Sequence, residues 1–459
     1  ELMPSIPKLL DGAVRSGADG IMVDIWWGVC ERKPGDYDFT GYLELLKQCK
    51  ARGLQVQAVM SFHACGGNVG DSVNVPIPDW VTELEFKVPE LFYRDQRGDP
   101  SREYVSLSCD HLPVFPGARY DPGFSKAGQG NAVEKSKAED AEESAEGEPE
   151  PEVPPPKRTA LELYEDFMIA FRDATQEYIN RGILVEIQVG CGPCGELRYP
   201  SYPLAPREHY PSGWRWPGVG ELQCFDRGMY LTMKKELQRD RPPTRLGKYN
   251  DSPDDAPFWS RSKDYKTMTA QLLALIGREE KSKYPEERFD TPSGAKFLDW
   301  YSQKLLNHGD EIMKRSRKVF GPHMRLAAKV SGIHWLKGHP SRAAEATAGY
   351  VGDYLERICK MLAQTRSVLD FTCFEMRDES QSAFAMSRPE ALVKAAARAA
   401  KAAGIHFAGE NALFCWQDES CIEQVEAQCE FALRSGVEMA GFTVLRLEEW
   451  LPPPAFPPL

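Results

Sequence analysis

The chain has 459 residues, 42% of them hydrophobic and 27% charged, with a formal net charge of −12. That is enough sequence for one large α/β barrel or two to three ordinary domains. It holds no apolar run of about 18 residues that could span a bilayer, and no basic patch of the kind nucleic acid requires. The acidity is local: Glu134–Glu152 carries nine acids against two lysines, leaving −5 for the rest, a value that suits neutral ligands.

In chain order, short apolar runs alternate with longer amphipathic ones. A helical segment, Ile6–Arg15, precedes the run Gly20–Trp27, and the helical pattern Phe39–Arg52 precedes Leu54–Phe62. Ser125–Pro156 is different: rich in Glu, Ala, Lys, Gly and Pro and nearly devoid of large apolar residues. It cannot bury enough surface to offset its ordering entropy, so it is expected to be a disordered insertion in a βα connection. Then come helical Leu161–Asn180 and the run Ile183–Gly190, helical Phe297–Phe320 and Arg325–Gly332, helical Tyr354–Arg366 and Val368–Met376. Helical Pro389–Ala403 with Ile405–Asn411, and helical Cys421–Arg434 with Val437–Leu447, complete the series before a Pro-rich tail, Leu451–Leu459. Glycines at 17, 53, 182, 404 and 436 stand where a helix would close ahead of a strand. Repeated units of this kind predict a parallel sheet, and at this length a single (β/α)₈ TIM barrel, with a doubly wound sheet as the competing architecture. Only seven strands are visible where a closed barrel has eight, so the first strand is expected to be lacking from this chain. Long βα loops are expected to form a small lobe over the active site.

In such a barrel the active site lies at the C-terminal edges of the strands. Those edges carry Asp24, His63, Glu196, Lys329, Thr372, Glu410 and Arg446, accompanied by Trp26, Trp27 and Trp335. Carboxylates and amides to bond hydroxyls, with aromatic faces to pack on sugar rings, point to a carbohydrate site. Glu186 falls inside its run, where a structural role is expected.

Several long strings then match one family in order. They are Gly20–Gly28 (GIMVDIWWG), Met60–Asp71 (MSFHACGGNVGD), Gly195–Pro203 (GELRYPSYP), Gly247–Asp251, Trp300–Asp310, Lys329–Trp335 (KVSGIHW), Phe371–Arg377 (FTCFEMR) and Ala408–Leu413 (AGENAL). The chain closely resembles the β-amylases over nearly all its length apart from the acidic insertion. The resemblance implies an inverting α-1,4-glucan maltohydrolase that releases β-maltose from non-reducing ends of starch-type polysaccharides. It places Glu196 as general acid and Glu410 as general base. An inverting pair needs roughly 6.5–9.5 Å between carboxyls, a raised pKa on the acid and an ionised base. The same resemblance assigns Asp24, His63, Lys329, His334, Asn411, Ala412 and Arg446 to the −2 to +2 sugar positions. It also assigns Asp71 to a mobile loop whose glycines permit closure, and Thr372 to an inner loop that positions product and base. The family has an apolar strand upstream of Ile6, so the sequence is expected to be truncated at that side.

Cys191-Gly192-Pro193-Cys194 reproduces a thioredoxin-type motif, yet it lies inside a longer match where the β-amylases usually carry Leu and Ala at the cysteine positions. A redox-enzyme reading is therefore set aside, while a reversible disulfide two residues from Glu196 stays open as a switch. Cys65, between His63 and the mobile loop, is a second candidate thiol. The twelve cysteines are scattered in a long chain, so reduced thiols are expected. No Cys or His spacing suits zinc, so neither metal nor cofactor is expected. The alternative function is a catalytically silent β-amylase-like protein that binds glucan or regulates another enzyme. Starch as partner suggests the plastid, with the cytoplasm as the alternative. Oligomeric state is not legible.

Overall fold

The computed structural model describes residues 5–67, 71, 73–121, 156–203, 206–261, 287–413 and 418–445. Seven strands lie in one parallel sheet in sequential order: β1 Gly20–Trp26, β2 Gln55–Ser61, β3 Leu184–Val189, β4 Arg325–Val330, β5 Val368–Phe371, β6 Phe407–Glu410 and β7 Met439–Thr443. The longer helices among the described residues are α1 Ile6–Arg15, α2 Thr40–Arg52, α3 Ala160–Asn180, α4 Arg227–Leu237, α5 Pro292–Phe320, α6 Tyr354–Gln364, α7 Pro389–Ala403 and α8 Glu419–Arg434. All but α4 belong to the βα alternation, so the sheet is parallel with helices on its outer face, as the periodicity predicts. No described helix is long and apolar enough to cross a membrane.

Helix boundaries follow from capping chemistry. Thr159 and Glu162 form a reciprocal capping box at the start of α3, satisfying two backbone N–H groups that the helix itself cannot. The Thr291 hydroxyl accepts from Gly294 N–H and Pro292 opens α5, so that helix begins five residues earlier than the apolar period alone indicates. Gly53 and Gly404 take the left-handed conformation that ends α2 and α7, as expected at a C-cap. The run Val368–Met376 stops being a strand at Phe371, because Cys373 adopts a positive φ and turns the chain.

The sheet curls strongly. The Arg325 guanidinium at the start of β4 donates to the carbonyl of Ala440 in β7, three strands away, at 3.3 Å. Among the described residues β1 and β7 are hydrogen-bonded along one edge only. Most of their residues are half-buried, whereas β2 to β5 are largely buried. The result is a curled half-barrel of seven strands. Between helices and sheet the core is aromatic: Phe62 stacks on Tyr164 at 4.3 Å, and Phe39 meets Phe167 and Phe171 edge-on.

Long connections follow β2 and β3. The first contains the hairpin Phe92–Arg94 with Pro100–Val105, and the second contains α4, capped by Asp226. They pack on each other, with Phe225 N–H donating to Arg94 carbonyl and Tyr249 hydroxyl to Asp95. This is the small lobe the loop lengths imply. Phe115–Pro116 pairs antiparallel with Lys157–Arg158, which closes the base of the acidic insertion. Residues 125–155 of that insertion, the tail 451–459 and Arg446 lie outside the described residues.

Candidate active site

Glu196 follows β3 through a tight turn. Gly190 can have no side chain, since a Cβ there would fall 2.2 Å from the Met60 carbonyl of β2. Gly195 and Glu196 N–H groups close the turn on Gly192 and Pro193, and Leu197 N–H donates to the Lys329 carbonyl at 2.9 Å. The Glu196 backbone is therefore fastened to the end of β4. Glu196 is 7% exposed, and its carboxyl accepts from Arg198 Nε at 2.5 Å. Arg198 is itself buried, over the Tyr202 ring at 4.3 Å, and its Nη2 reaches Cys194 Sγ at 3.3 Å.

Glu410 ends β6 and is fully buried. Gly409 before it packs under the Phe374 ring, where any Cβ would collide. The Lys329 ammonium, from β4, lies against the Glu410 carboxylate. Burial pushes Glu410 above the usual carboxylate range, the Lys329 charge opposes that, and the negative fields of Glu196 and Asp24 add to the rise. Burial works against the Lys329 charge too, yet Glu410, then Glu196 and Asp370, hold it well above the ordinary lysine range. One lysine thus joins the two glutamates: its backbone fixes the segment of Glu196 and its side chain pairs with Glu410. Asp370 of β5 stands in register with Lys329 and is 2% exposed, with no hydrogen-bond donor of good geometry on either oxygen. Burial, and then the Glu410 charge, raise it well above the carboxylate range.

Other sequence-derived candidates fall into three groups. Asp24 and His63 face the same end: Asp24 accepts from Ser61 hydroxyl at 2.6 Å, and His63 meets Trp26 edge-on at 5.1 Å. Burial, helped by Lys329 and Arg198, lowers His63 to about 3, and burial lowers His334 to about 4. Both imidazoles are neutral, with Nδ1 atoms that are buried and unpaired, suited to exchange hydrogen bonds with sugar hydroxyls. Thr372, past β5, accepts from Gly332 N–H at 2.8 Å, tying the inner turn to the end of β4. Asn411 is committed to backbone: its side chain bonds Leu413 carbonyl and both the N–H and the carbonyl of Leu445. Ala412 N–H donates to Glu375 at 3.1 Å. Asp71 is exposed and accepts from Gly66 N–H at 2.8 Å.

Two expectations need correction. Trp27 is not a rim aromatic: it is 1% exposed, donates to Glu31 at 2.6 Å and packs on Phe62, Trp80 and Tyr164. Trp26 ends β1 with its ring on His63, while Trp27 opens the next turn and points into the helix layer. Cys65 is a poor nucleophile, since burial and then Asp71 push its thiol to about 11. Cys191 is buried and Cys194 half-buried, both free, as are all the described cysteines. Burial raises both thiols, Cys191 to about 12. Glu186 lies inside β3, bonded to Gln57 at 2.9 Å and facing Arg325, which fits a structural role. Sequence reasoning missed Arg198, Glu375 and Asp370. The first two stood inside matched strings, but their value lies in contacts that spacing does not encode.

The profile of glycosyl hydrolase family 14 matches residues 7–126 and 140–453. The chain belongs to this family. Glycosyl hydrolase family 14 relatives include "Beta-amylase 2, chloroplastic" of Oryza sativa subsp. japonica, 40% identical over 446 residues, covering 94% of this chain and 67% of that protein. "Beta-amylase 5" of Arabidopsis thaliana is 36% identical over 449 residues, covering 95% of this chain and 76% of the relative. Among solved structures, the catalytic domain of a β-amylase from Paenibacillus polymyxa superposes with a TM-score of 0.66 at 24% identity. The match covers 96% of this chain and 88% of that one, a likeness of fold. The family profile passes over residues 127–139, within the acidic insertion.

Proposed function

We propose that this protein hydrolyses α-1,4-glucosidic bonds of starch-type glucans and releases β-maltose from non-reducing ends. Glu196 is the general acid and Glu410 the general base. The observation that carries the reading is the shared lysine: Lys329 fastens the Glu196 segment through its carbonyl and pairs with Glu410 through its ammonium. Inversion needs one carboxyl to protonate the departing glycosidic oxygen and a second to take a proton from water attacking the anomeric carbon from the opposite face. Arg198 orients the Glu196 carboxyl. Lys329 offsets the cost of a carboxylate at Glu410, where burial favours the protonated form that cannot accept a proton. Neutral His63 and His334, with Asp24, supply hydroxyl partners, and Thr372 holds the inner turn beside them. The name of the Oryza sativa relative supports a plastid location.

The test is anomer-resolved product analysis on soluble starch. Wild-type protein yields maltose that is initially β. Glu196→Gln and Glu410→Gln each lose about 10²–10⁴-fold in kcat. Initial α-maltose, or a double variant that still turns over, refutes the assignment. Glucan binding without maltose release assigns the chain instead to a silent binding protein.

A further inference from the structure

Single exposed apolar side chains are ordinary on a protein surface, whereas two large aromatic rings exposed side by side are not. Trp216 is 44% and Phe384 68% exposed, and their ring centroids lie 6.5 Å apart at an interplanar angle of 56°. They come from different connections, so their meeting is a property of the fold. Both connections are fixed to the candidate cleft. Trp216 lies between Trp214, whose ring packs on Trp335 at 5.2 Å, and Gly218, whose carbonyl accepts from Trp335 Nε1 at 2.8 Å. Phe384 precedes Ala385 and Met386, whose carbonyls accept from Leu336 and Gly338 N–H, and Arg388 N–H returns to the His334 carbonyl. Trp335 in turn packs on Tyr202, which carries Arg198, the partner of Glu196. Contacts therefore run from the acid through Arg198 to the rings of Tyr202, Trp335 and Trp214, and the backbone of the two connections continues from there to the exposed pair.

We propose that Trp216 and Phe384 form an outer stacking subsite for an α-glucan chain where it leaves the cleft. This rests on the glucan-hydrolase reading. Each ring offers an uncharged face to the C–H face of a hexose, which selects a neutral sugar over an anionic polymer. Rings inclined at 56° receive sugars turned relative to one another, as in a curved α-1,4 chain. A flat β-1,4 ribbon presents its rings nearly coplanar and meets only one. Holding the chain here raises the effective concentration of its end at the inner site without touching the chemistry.

The experiment uses the full chain and two readouts. In native gels containing amylopectin, Trp216→Ala/Phe384→Ala is expected to lose about threefold to tenfold in apparent affinity. The conservative pair Trp216→Phe/Phe384→Tyr retains retardation, and carboxymethyl-cellulose gels retard none of them. In kinetics, the ratio of kcat/KM on amylopectin to that on maltotetraose falls by a similar factor in the alanine variant. Equal losses on long and short substrates overturn the subsite and make the pair a support of the inner cleft. Unchanged retardation overturns it as well, even if the variant dissociates a dimer that this patch would then have formed. If the wild type releases no maltose from any substrate, the catalytic reading fails while the gel arm still decides the subsite.

Discussion

Lys329 is the residue on which the charge state of the site turns. Burial pushes Glu410 toward its protonated form, and the ammonium beside it is the opposing influence. Replacing Lys329 by Met removes that influence, so the Glu410 pKa rises further, and a base is lost as pH falls through its pKa. The acid limb of the kcat/KM profile is therefore expected to move to higher pH, by roughly one to three units. An unmoved limb would mean that Glu410 does not owe its ionisation to Lys329. Asp370→Asn is the companion test: burial and the Glu410 charge favour the protonated form of Asp370, so the substitution is expected to alter no charge and to leave the limb within about half a unit. A large downward move there would show that Asp370 is ionised in the working protein. The two glutamates were legible because each stands at a strand end within a long matched string. Asp370 was not, because inside the run Val368–Met376 it reads as one more strand residue, and only burial beside Lys329 distinguishes it.

At the scale of elements, the seven strands and the helices between them were legible because a fully buried parallel strand reads as an unbroken apolar run and glycine marks the preceding helix end. The hairpin Phe92–Val105 and helix α4 were not, since they belong to a lobe whose sequence is Pro-, Gly- and Arg-rich and whose order depends on side-chain bonds such as Tyr249 to Asp95. The sheet itself is uneven. Interior strands share hydrogen bonds on both sides, while β1 and β7 do so on one side among the described residues and remain half-buried. Backbone N–H groups open to solvent locally at lower cost where fewer buried contacts hold them. Hydrogen exchange followed by mass spectrometry on this chain is expected to find residues 439–443 and 20–26 exchanging faster than 184–189 and 325–330. Equal protection across all four segments would show that the two outer strands are covered as well as the central ones.

At the scale of the whole molecule, buried carboxyls outnumber buried lysines and arginines among the described residues, and this ties stability to pH. Burial raises Glu31, Glu186 and Glu221 to about 7 and Asp226 to about 6. In the unfolded chain the same groups titrate near 4. For these carboxyls the folded state binds more protons than the unfolded one between those limits, so their share of the slope of unfolding free energy against pH is negative and the stability they supply falls as pH rises from about 4 to 7. His63 and His334, held at about 3 and 4 against about 6.5 in the unfolded chain, have the opposite sense within the window, whereas Asp254, held low by Arg261, has it only below the ordinary carboxylate range. Glu186 isolates the effect, since it lies within β3, bonded to Gln57 and facing Arg325, and takes no part in the proposed chemistry. Glu186→Gln keeps the shape and removes the titration. Its midpoint temperature relative to the wild type is expected to improve with pH across the window, equivalent to about 1–3 kcal/mol between pH 4.5 and 7.5 at a fixed scan rate. A constant offset at every pH would mean that this carboxyl does not change charge on unfolding there.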